Sequence, residues 1–302
     1  MPPFYFFWGG GDSHDNACKF AREVHDIVAS CAGSNRRIAV DRCGLLASSV
    51  IQNIGLEMVE GQGLMEVARS LKSVEEIRPL QHSIDVGENA IAKMRQLMEP
   101  GITENALWSK LHETNIAMGG EWIETRLLAS GARTNPWFHE CSMKVIEKGE
   151  MVSFDTDLIG PYGYICDMSR SWVCGEVKPK PEQVQLYQLA NEQIHFNIEL
   201  LRPGLSFHEF AQLAWPLPDE FKRHRYGVTV HGTGLSDEYP AIKYIFDFGD
   251  HEFDGMFEAG MTLSVESFIG SVHGGEGVKL EEQILITETG CRKLTSYPIE
   301  DW

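Results

Sequence analysis

Six side chains suited to hard divalent metal ions follow one another in the second half of the chain. They are five carboxylates and one imidazole: Asp155, Asp157, Asp167, His231, Glu266 and Glu281. Carboxylates that lie close together repel each other, and divalent cations relieve that repulsion. An oxygen-rich set with one imidazole favours Mn, Fe, Co or Zn over copper or a thiolate-selective metal. The residue types therefore predict a site for two metal ions.

The segments around these residues are predicted to be strands that bring the ligands together. Residues 151–157 are expected to form a first strand, the turn at 160–163 reverses the chain, and residues 164–172 return as a second strand. This hairpin would place Asp167 beside Asp155 and Asp157, and we expect those two on one face because strand side chains alternate. The other three ligands lie in strand-like segments of their own. Any one of these acids alone would be more typical of a solvated surface, so the prediction depends on their joint placement.

These motifs resemble the metal-binding signature of the pita-bread metallopeptidases. That superfamily includes methionine aminopeptidase, prolidase, Xaa-Pro aminopeptidase and the metal-free creatinase. The segments that carry the resemblance are residues 148–155, Asp167-Met168-Ser169-Arg170, His231-Gly232-Thr233-Gly234, residues 260–266 and residues 277–281. The resemblance implies an α+β fold with a pita-bread (creatinase/aminopeptidase-like) catalytic domain.

The chain departs from the peptidase pattern at positions that bear on the reaction. Its first strand carries two Asp residues where peptidases carry one, and Ser267-Phe268 follows Glu266 where peptidases have Pro-Gly. Peptidases also keep a second His before a Glu, whereas Asp237 stands at that place before Glu238. These departures resemble one branch of the superfamily, the DddP-type dimethylsulfoniopropionate lyases, which cleave a carbon–sulfur bond.

The resemblance to this lyase branch implies roles for individual residues. Asp237 matches the catalytic Asp of the branch, Tyr226 matches its active-site Tyr, and the six candidate ligands match its metal ligands. Two divalent metal ions are implied, with iron first and Mn, Zn, Co or Ni as alternatives. The small-molecule substrate would be a sulfonium carboxylate, and the protein would be a homodimer.

The chemistry of such a reaction can be argued from the residues. A β-elimination needs a base at the carbon next to the substrate carboxylate, and Asp237 could reach from the metal edge to take that proton. Two metals that bind the carboxylate would stabilise the developing charge. A methylated sulfonium favours an aromatic box. The candidates for the substrate pocket are Tyr226, Tyr239, Trp137 and Phe138, together with His139, where peptidases keep a substrate-facing His, and His224, which belongs to a short basic cluster. For Tyr226, Trp137 and Phe138, packing in the core is the alternative interpretation.

Composition fits a globular enzyme and excludes other classes. The 302 residues suit one large or two smaller domains, and a hydrophobic content of 43% can fill their cores. The net charge of −18 argues against a nucleic-acid partner, because phosphates need basic side chains. No apolar stretch is long enough for a membrane span. The seven cysteines show no Cys-x-x-Cys spacing and indicate reduced thiols in a cytoplasmic protein.

The chain is predicted to contain two parts. Residues 1–67 carry a βαβ pattern, which resembles the tail of the amino-terminal α/β domain of creatinase-like proteins; the predicted elements are helices at 15–30 and 45–54 and strands at 37–41 and 56–60. The full domain of that type is longer, so we expect this one to be truncated, with consequences for dimerisation and for the pocket rim. Residues 68–302 would form the pita-bread dimetal domain. A capping box at Ser73-Val74-Glu75-Glu76 opens its first long helix, and Thr103 and Ser206 are predicted N-caps after two similar Pro-Gly turns.

Three functions are compatible with these patterns. A dimetal lyase that acts on dimethylsulfoniopropionate, with Asp237 as base, agrees with every motif. A Xaa-Pro aminopeptidase or prolidase would need the second His that Asp237 replaces. A catalytically inactive pita-bread binding module is the third alternative, and the intact set of six ligands argues against it.

Overall fold

The structure, a computed structural model, describes residues 4–249 and 254–302. It divides into two compact units, Met1–Ala68 and Arg69–Trp302. Within the described ranges, no helix is both long and apolar enough to span a membrane. All seven cysteines are free.

The first unit is built around a parallel pair of short strands. Its helices and strands, numbered in chain order, are α1 (Phe6–Gly9), α2 (Ser13–Ala32), β1 (Arg37–Val40), α3 (Leu45–Asn53), β2 (Glu57–Glu60) and α4 (Gln62–Ser70), of which the last two residues belong to the second unit. β1 pairs in parallel with β2, and α3 provides the crossover, so the predicted βαβ arrangement is confirmed. Ala17 and Ala21 of α2 pack against Val50, Ile51 and Leu56 in its small core.

The second unit combines helices with antiparallel strands. Its helices are α5 (Val74–Leu97), α6 (Glu104–Ala117), α7 (Pro181–Leu200), α8 (Phe207–Leu213) and α9 (Asp219–Lys222). Its strands are β3 (Trp122–Ile123), β4 (Leu128–Ser130), β5 (Met151–Asp155), β6 (Leu158–Ile159), β7 (Ile165–Cys166), β8 (Ser169–Val173), β9 (Val230–Thr233), β10 (Asp237–Ile242), β11 (Thr262–Gly270), β12 (Gly277–Ile286) and β13 (Cys291–Lys293). Short 3₁₀ turns lie at Gly10–Asp12 in the first unit and at Gly131–Thr134, Pro161–Gly163 and Ile245–Asp247 in the second.

The helix starts predicted from the sequence are confirmed. Ser73 accepts a hydrogen bond from the backbone of Glu76, and the Glu76 side chain returns one to the backbone of Ser73, which forms the capping box of α5. Thr103 caps α6 through Ala106 N, and Ser206 caps α8 through Glu209 N. Such caps satisfy amide groups at a helix start that have no partner within the helix.

Three antiparallel sheets position the polar residues of the second unit. The largest has the order β10-β9-β11-β12-β13, and the two smaller ones have the orders β4-β5-β8 and β3-β6-β7. α7 packs with Val265 and Leu280 of the large sheet in one hydrophobic core, through Ala190 and Ile194. α5 and α6 contribute to a second core, which contains Phe154 of β5. The strands that carry the polar residues are therefore anchored by buried hydrophobic side chains of their own.

The predicted hairpin is present, but its strands are interrupted. The first strand ends at Asp155, and Asp157 has a φ of +36° before β6 begins at Leu158. The expectation of one continuous strand through both acids is therefore wrong. A bend replaces it, because Thr156 Oγ1 donates to Cys166 O at 2.8 Å and accepts from Met168 N at 3.0 Å, and so ties the two interruptions together.

Candidate metal centre

Three of the predicted ligands lie on adjacent strands of the large sheet. Glu266 of β11 lies directly opposite Glu281 of β12, and His231 of β9 pairs with Ser264 of β11. Opposed side chains on paired strands lie about 5 Å apart, and like charges in that arrangement destabilise a sheet. Two buried glutamates at one register position therefore indicate a site that needs a cation.

The other three ligands come from the hairpin. Asp155 ends β5 and pairs with Ser169, while Asp157 and Asp167 lie in the two interruptions. Asp167 N donates to Gln283 Oε1 at 3.1 Å, which fixes this bend against β12. Asp157 reaches this position because the chain bends there, and not because strand side chains alternate. Asp157 and Asp155 form one group with Asp167, and their ligand oxygens lie within 4.8 Å of one another.

All six predicted ligands are buried and form overlapping groups that could hold a cation. Besides Asp155, Asp157 and Asp167, the groups are Asp167, His231 and Glu281, and Asp155, Glu266 and Glu281. His231 Nε2 lies 3.2 Å from Asp167 Oδ2, 3.0 Å from Glu266 Oε1 and 3.5 Å from Glu281 Oε1. Ligand atoms about 3 Å apart are the spacing expected around a metal ion with bonds of about 2.1 Å.

The hydrogen bonds of these side chains test whether a metal ion fits. His231 Nδ1 donates to Gly232 O at 3.0 Å, which directs Nε2 at the carboxylates. Burial by itself lowers the pKa of His231, but the charge of Glu266 outweighs it and holds the pKa well above its usual value, so Nε2 carries a proton that a metal ion would replace. Four carboxylate oxygens are buried without a hydrogen-bond donor among the described residues: Asp155 Oδ1, Asp167 Oδ1, Glu266 Oε1 and Glu281 Oε1. Buried acceptors without donors are rare unless a cation serves them. The residues therefore fit a centre for divalent metal ions.

The electrostatics of the cluster agree with that interpretation. Burial, reinforced by the charge of Glu281, raises the pKa of Asp155 and of Asp167 well above its usual value. Burial also raises the pKa of Asp157 to about 7, with the charge of Asp237 adding to the shift and the hydrogen bond from Thr125 opposing it. Carboxylates crowded in this way bind protons when no stronger cation is present. A divalent cation would displace those protons.

Lys279 is a cation within the cluster that sequence reasoning missed. Its side chain is fully buried on β12, and Nζ donates to Asp155 Oδ2 at 3.1 Å, Glu266 Oε2 at 2.7 Å and Glu281 Oε2 at 3.3 Å. It also donates to Ser169 Oγ at 2.9 Å. Burial by itself lowers the pKa of Lys279, but these carboxylates outweigh it, so the pKa lies well above its usual value and the amine is charged. Its signal was available, because residues 279 and 281 share one face of a strand.

Asp237 lies at the edge of the cluster, where β10 begins. Its Oδ1 is 3.8 Å from His231 Nδ1, and 56% of its side chain is exposed. Desolvation by the surrounding protein nevertheless raises the pKa of Asp237, with the attraction of His231 opposing the shift. A carboxylate that is reachable from solvent and has a raised pKa is suited to accept a proton.

The neighbour of Asp237 anchors this position. Glu238 is buried, accepts a hydrogen bond from Leu235 N at 2.8 Å and pairs with Lys72 Nζ at 2.7 Å. The glycines of the His231 motif make room for it, since a Cβ on Gly234 would lie 2.4 Å from Glu238 Oε1. These contacts anchor residues 234–238 beside the metal ligands.

Tyr226 and Trp137 lie beside Lys279 and line one side of the cluster. The Lys279 ammonium is 4.6 Å from the centroid of the Tyr226 ring and 5.9 Å from that of Trp137. Burial, reinforced by the charge of Glu266, raises the pKa of Tyr226, so its phenol keeps its proton. Trp137 is buried, and its ring centroid lies 6.0 Å from that of Phe268. Phe138 is 62% exposed, has a φ of +77° and stacks on Tyr226 with ring centroids 5.2 Å apart.

The remaining predicted pocket residues make contacts outside the ligand set. His224 Nδ1 donates to Asn135 Oδ1 at 2.8 Å. Tyr239 packs its ring against Phe207 of the hydrophobic core, with ring centroids 5.9 Å apart. Throughout the described part of the chain, no hydrogen bond or ion pair joins His139 to a metal ligand. Thr125, which donates a short hydrogen bond to Asp157, and Ser169, which donates to Glu281 at 2.8 Å, are site residues that the sequence did not single out.

Comparison with known proteins agrees with this geometry. The profile of metallopeptidase family M24 matches residues 79–288. The dimethylsulfoniopropionate lyase DddP of Roseovarius nubinhibens is 42% identical over 98% of this chain and 68% of that protein, and DddP of Roseobacter denitrificans is 41% identical over 98% and 67%. Among solved structures, a Xaa-Pro dipeptidase from Bacillus anthracis superposes with a TM-score of 0.79 at 24% identity, covering 94% of this chain and 77% of that one. The predicted pita-bread fold class is thereby confirmed. The chain belongs to metallopeptidase family M24 and, within it, to the same family as the DddP dimethylsulfoniopropionate lyases.

Proposed function

We propose that this protein is a dimetal lyase that cleaves dimethylsulfoniopropionate into dimethyl sulfide and acrylate by β-elimination. The observation that carries the proposal is Asp237, a carboxylate at the edge of the ligand cluster where a peptidase would need an imidazole. The identity of 42% to a curated lyase over 98% of the chain supports the same reaction. The alternative, a Xaa-Pro peptidase, has the fold in its favour but lacks that second imidazole.

The proposed reaction begins with proton abstraction. Asp237 takes a proton from the carbon next to the substrate carboxylate, and the electron pair left there forms the new carbon–carbon double bond. The carbon–sulfur bond breaks with its electrons going to sulfur, so neutral dimethyl sulfide leaves, acrylate remains and the proton stays on Asp237. Divalent ions held by the six ligands would supply Lewis acidity toward the substrate carboxylate. Lys279 adds one fixed positive charge to the same surroundings.

The aromatic side chains are proposed to hold the sulfonium. Phe138 is 62% exposed and offers a ring face, over which a cation would gain about 0.5–2 kcal/mol. The Tyr226 ring contacts Phe138 and the Lys279 ammonium, so Tyr226 is proposed to reach the substrate through its phenol. Trp137 Nε1 is buried with no acceptor among the described residues, so it is a free donor for the substrate carboxylate. His224, His139 and Tyr239 are secondary candidates for the substrate pocket.

Iron is the metal we propose first, from the resemblance to the lyase branch, with Mn, Zn, Co or Ni as alternatives. A homodimer in the cytoplasm is proposed on the same resemblance, and the seven free cysteines agree with a reducing compartment. Metal analysis, light scattering and cell fractionation test these three points separately.

The deciding experiment measures dimethyl sulfide by headspace gas chromatography from purified protein given dimethylsulfoniopropionate. The same iron- or manganese-loaded sample is given a Xaa-Pro dipeptide. Dimethyl sulfide without peptide cleavage is the expected result. Peptide cleavage without dimethyl sulfide would overturn the proposal in favour of the peptidase.

A further inference from the structure

Three ligand carboxylates divide their two oxygens between different surroundings. Asp155 Oδ2, Glu266 Oε2 and Glu281 Oε2 each accept a hydrogen bond from Lys279 Nζ. The second oxygens of the same groups, Asp155 Oδ1, Glu266 Oε1 and Glu281 Oε1, have no donor among the described residues. One ammonium therefore orients three ligands and leaves one oxygen of each for a different cation.

The same three carboxylates make up one of the groups able to hold a cation. In that group, Asp155, Glu266 and Glu281, the Lys279 ammonium lies within 3.3 Å of an oxygen of every member. The other two groups share Asp167, which Lys279 does not contact. Each of those two groups also contains one carboxylate that Lys279 contacts, Asp155 or Glu281, so the ammonium and the metal ions of the proposed function share ligands.

A lysine at this place has opposite effects on the fold and on metal binding. Buried carboxylates are costly without a countercharge, so Lys279 stabilises the ligand cluster when no metal is bound. A metal ion that binds the same carboxylates is repelled by the ammonium at short range. The presence of either cation therefore reduces the free energy of stabilisation that the other contributes, and by thermodynamic linkage this effect is the same in both directions.

We infer that Lys279 and the metal ions compete for the charge of Asp155, Glu266 and Glu281. Lys279 is a positioning residue that keeps the ligand side chains assembled in the metal-free protein and, as a consequence, weakens metal binding. The inference rests on the metal centre of the proposed function. It does not depend on which substrate the enzyme turns over.

The test compares Lys279→Met and Lys279→Arg with the wild type and with a matched control, Lys72→Met. Lys72 is also a buried, ion-paired lysine, but its partner is Glu238 at 2.7 Å and not a metal ligand. Manganese(II) affinity is measured by competition with a chromophoric chelator. Thermal unfolding is measured for each protein with and without manganese.

We expect Lys279→Met to bind manganese about tenfold more tightly than the wild type. Manganese should also raise its melting temperature by more than it raises that of the wild type. Lys279→Arg keeps the charge and should behave like the wild type in both measurements. Lys72→Met should lose stability equally with and without metal and keep the wild-type affinity.

Two results would overturn the inference and leave the proposed function standing. One is an unchanged or weaker manganese affinity in Lys279→Met, with a metal-induced shift equal to that of Lys72→Met. The other is a Lys279→Met protein that does not fold even when it is produced and purified in excess manganese, because the metal is expected to replace the ammonium. A wild type that binds no divalent ion would overturn the inference and the proposed function together.

Discussion

Replacing Asp237 with asparagine removes the proposed base and keeps the size of the side chain. Because 56% of that side chain is exposed, we expect the free energy of unfolding to change by less than about 0.5 kcal/mol. Asp237 belongs to none of the groups able to hold a cation, so metal content should not change. A positioned general base contributes about 10²–10⁴-fold to a rate, which is about 3–5 kcal/mol of activation free energy. Dimethyl sulfide production by Asp237→Asn should fall by that factor.

The assay is headspace gas chromatography of dimethyl sulfide at saturating dimethylsulfoniopropionate, with metal content per chain measured on the same preparation. Glu124→Gln is the matched control, because this exposed carboxylate interacts electrostatically with Asp237 and has no proposed role in proton transfer. We expect the control to stay close to wild-type activity. An Asp237→Asn protein with full metal content and more than about a tenth of the wild-type rate would refute the assignment of Asp237 as base.

Other changes test the metal ligands, the protonation of the ligand cluster and the buried hydrogen-bond network of Glu104. Asp155→Ala and Glu281→Ala should each lose metal and activity together; an Asp155→Ala protein that keeps its full metal content would contradict the ligand assignment. Because burial raises the pKa of Asp157 to about 7, against about 3.9 in an unfolded chain, the stability of the metal-free protein should fall as the pH rises from about 4 to about 7 and level off above 7, as measured by thermal melting. The affinity for metal, measured by calorimetry over the same range, should instead increase with pH, and binding should release a proton. If metal affinity and the stability of the metal-free protein changed with pH in the same direction, Asp157 would be excluded as the titrating ligand. Glu104→Gln should lower the free energy of unfolding by about 3 kcal/mol, because buried Glu104 pairs with Arg133 and accepts hydrogen bonds from Ser130 and Ser142; an unchanged denaturation midpoint would mean that this network contributes little.

The sequence by itself determined the ligand set and the class of fold. Each ligand lies in a short motif of strand residues and glycines. Such local patterns can be recognised in the sequence because strands, turns and caps depend on residues that are near neighbours in the chain. The capping residues Ser73, Thr103 and Ser206 were predicted for the same reason. The replacement of an imidazole by Asp237 was also visible, because it changes one residue within a fixed motif.

Only the tertiary structure decided which side chains meet. Strand register places Glu266 opposite Glu281, and a bend rather than alternation brings Asp157 to the cluster. Residues 279 and 281 share one face of a strand, but only the packing of two sheets brings Lys279 into contact with three ligands. Distances between residues far apart in the chain depend on register, bends and packing between sheets, and local sequence patterns do not encode those directly.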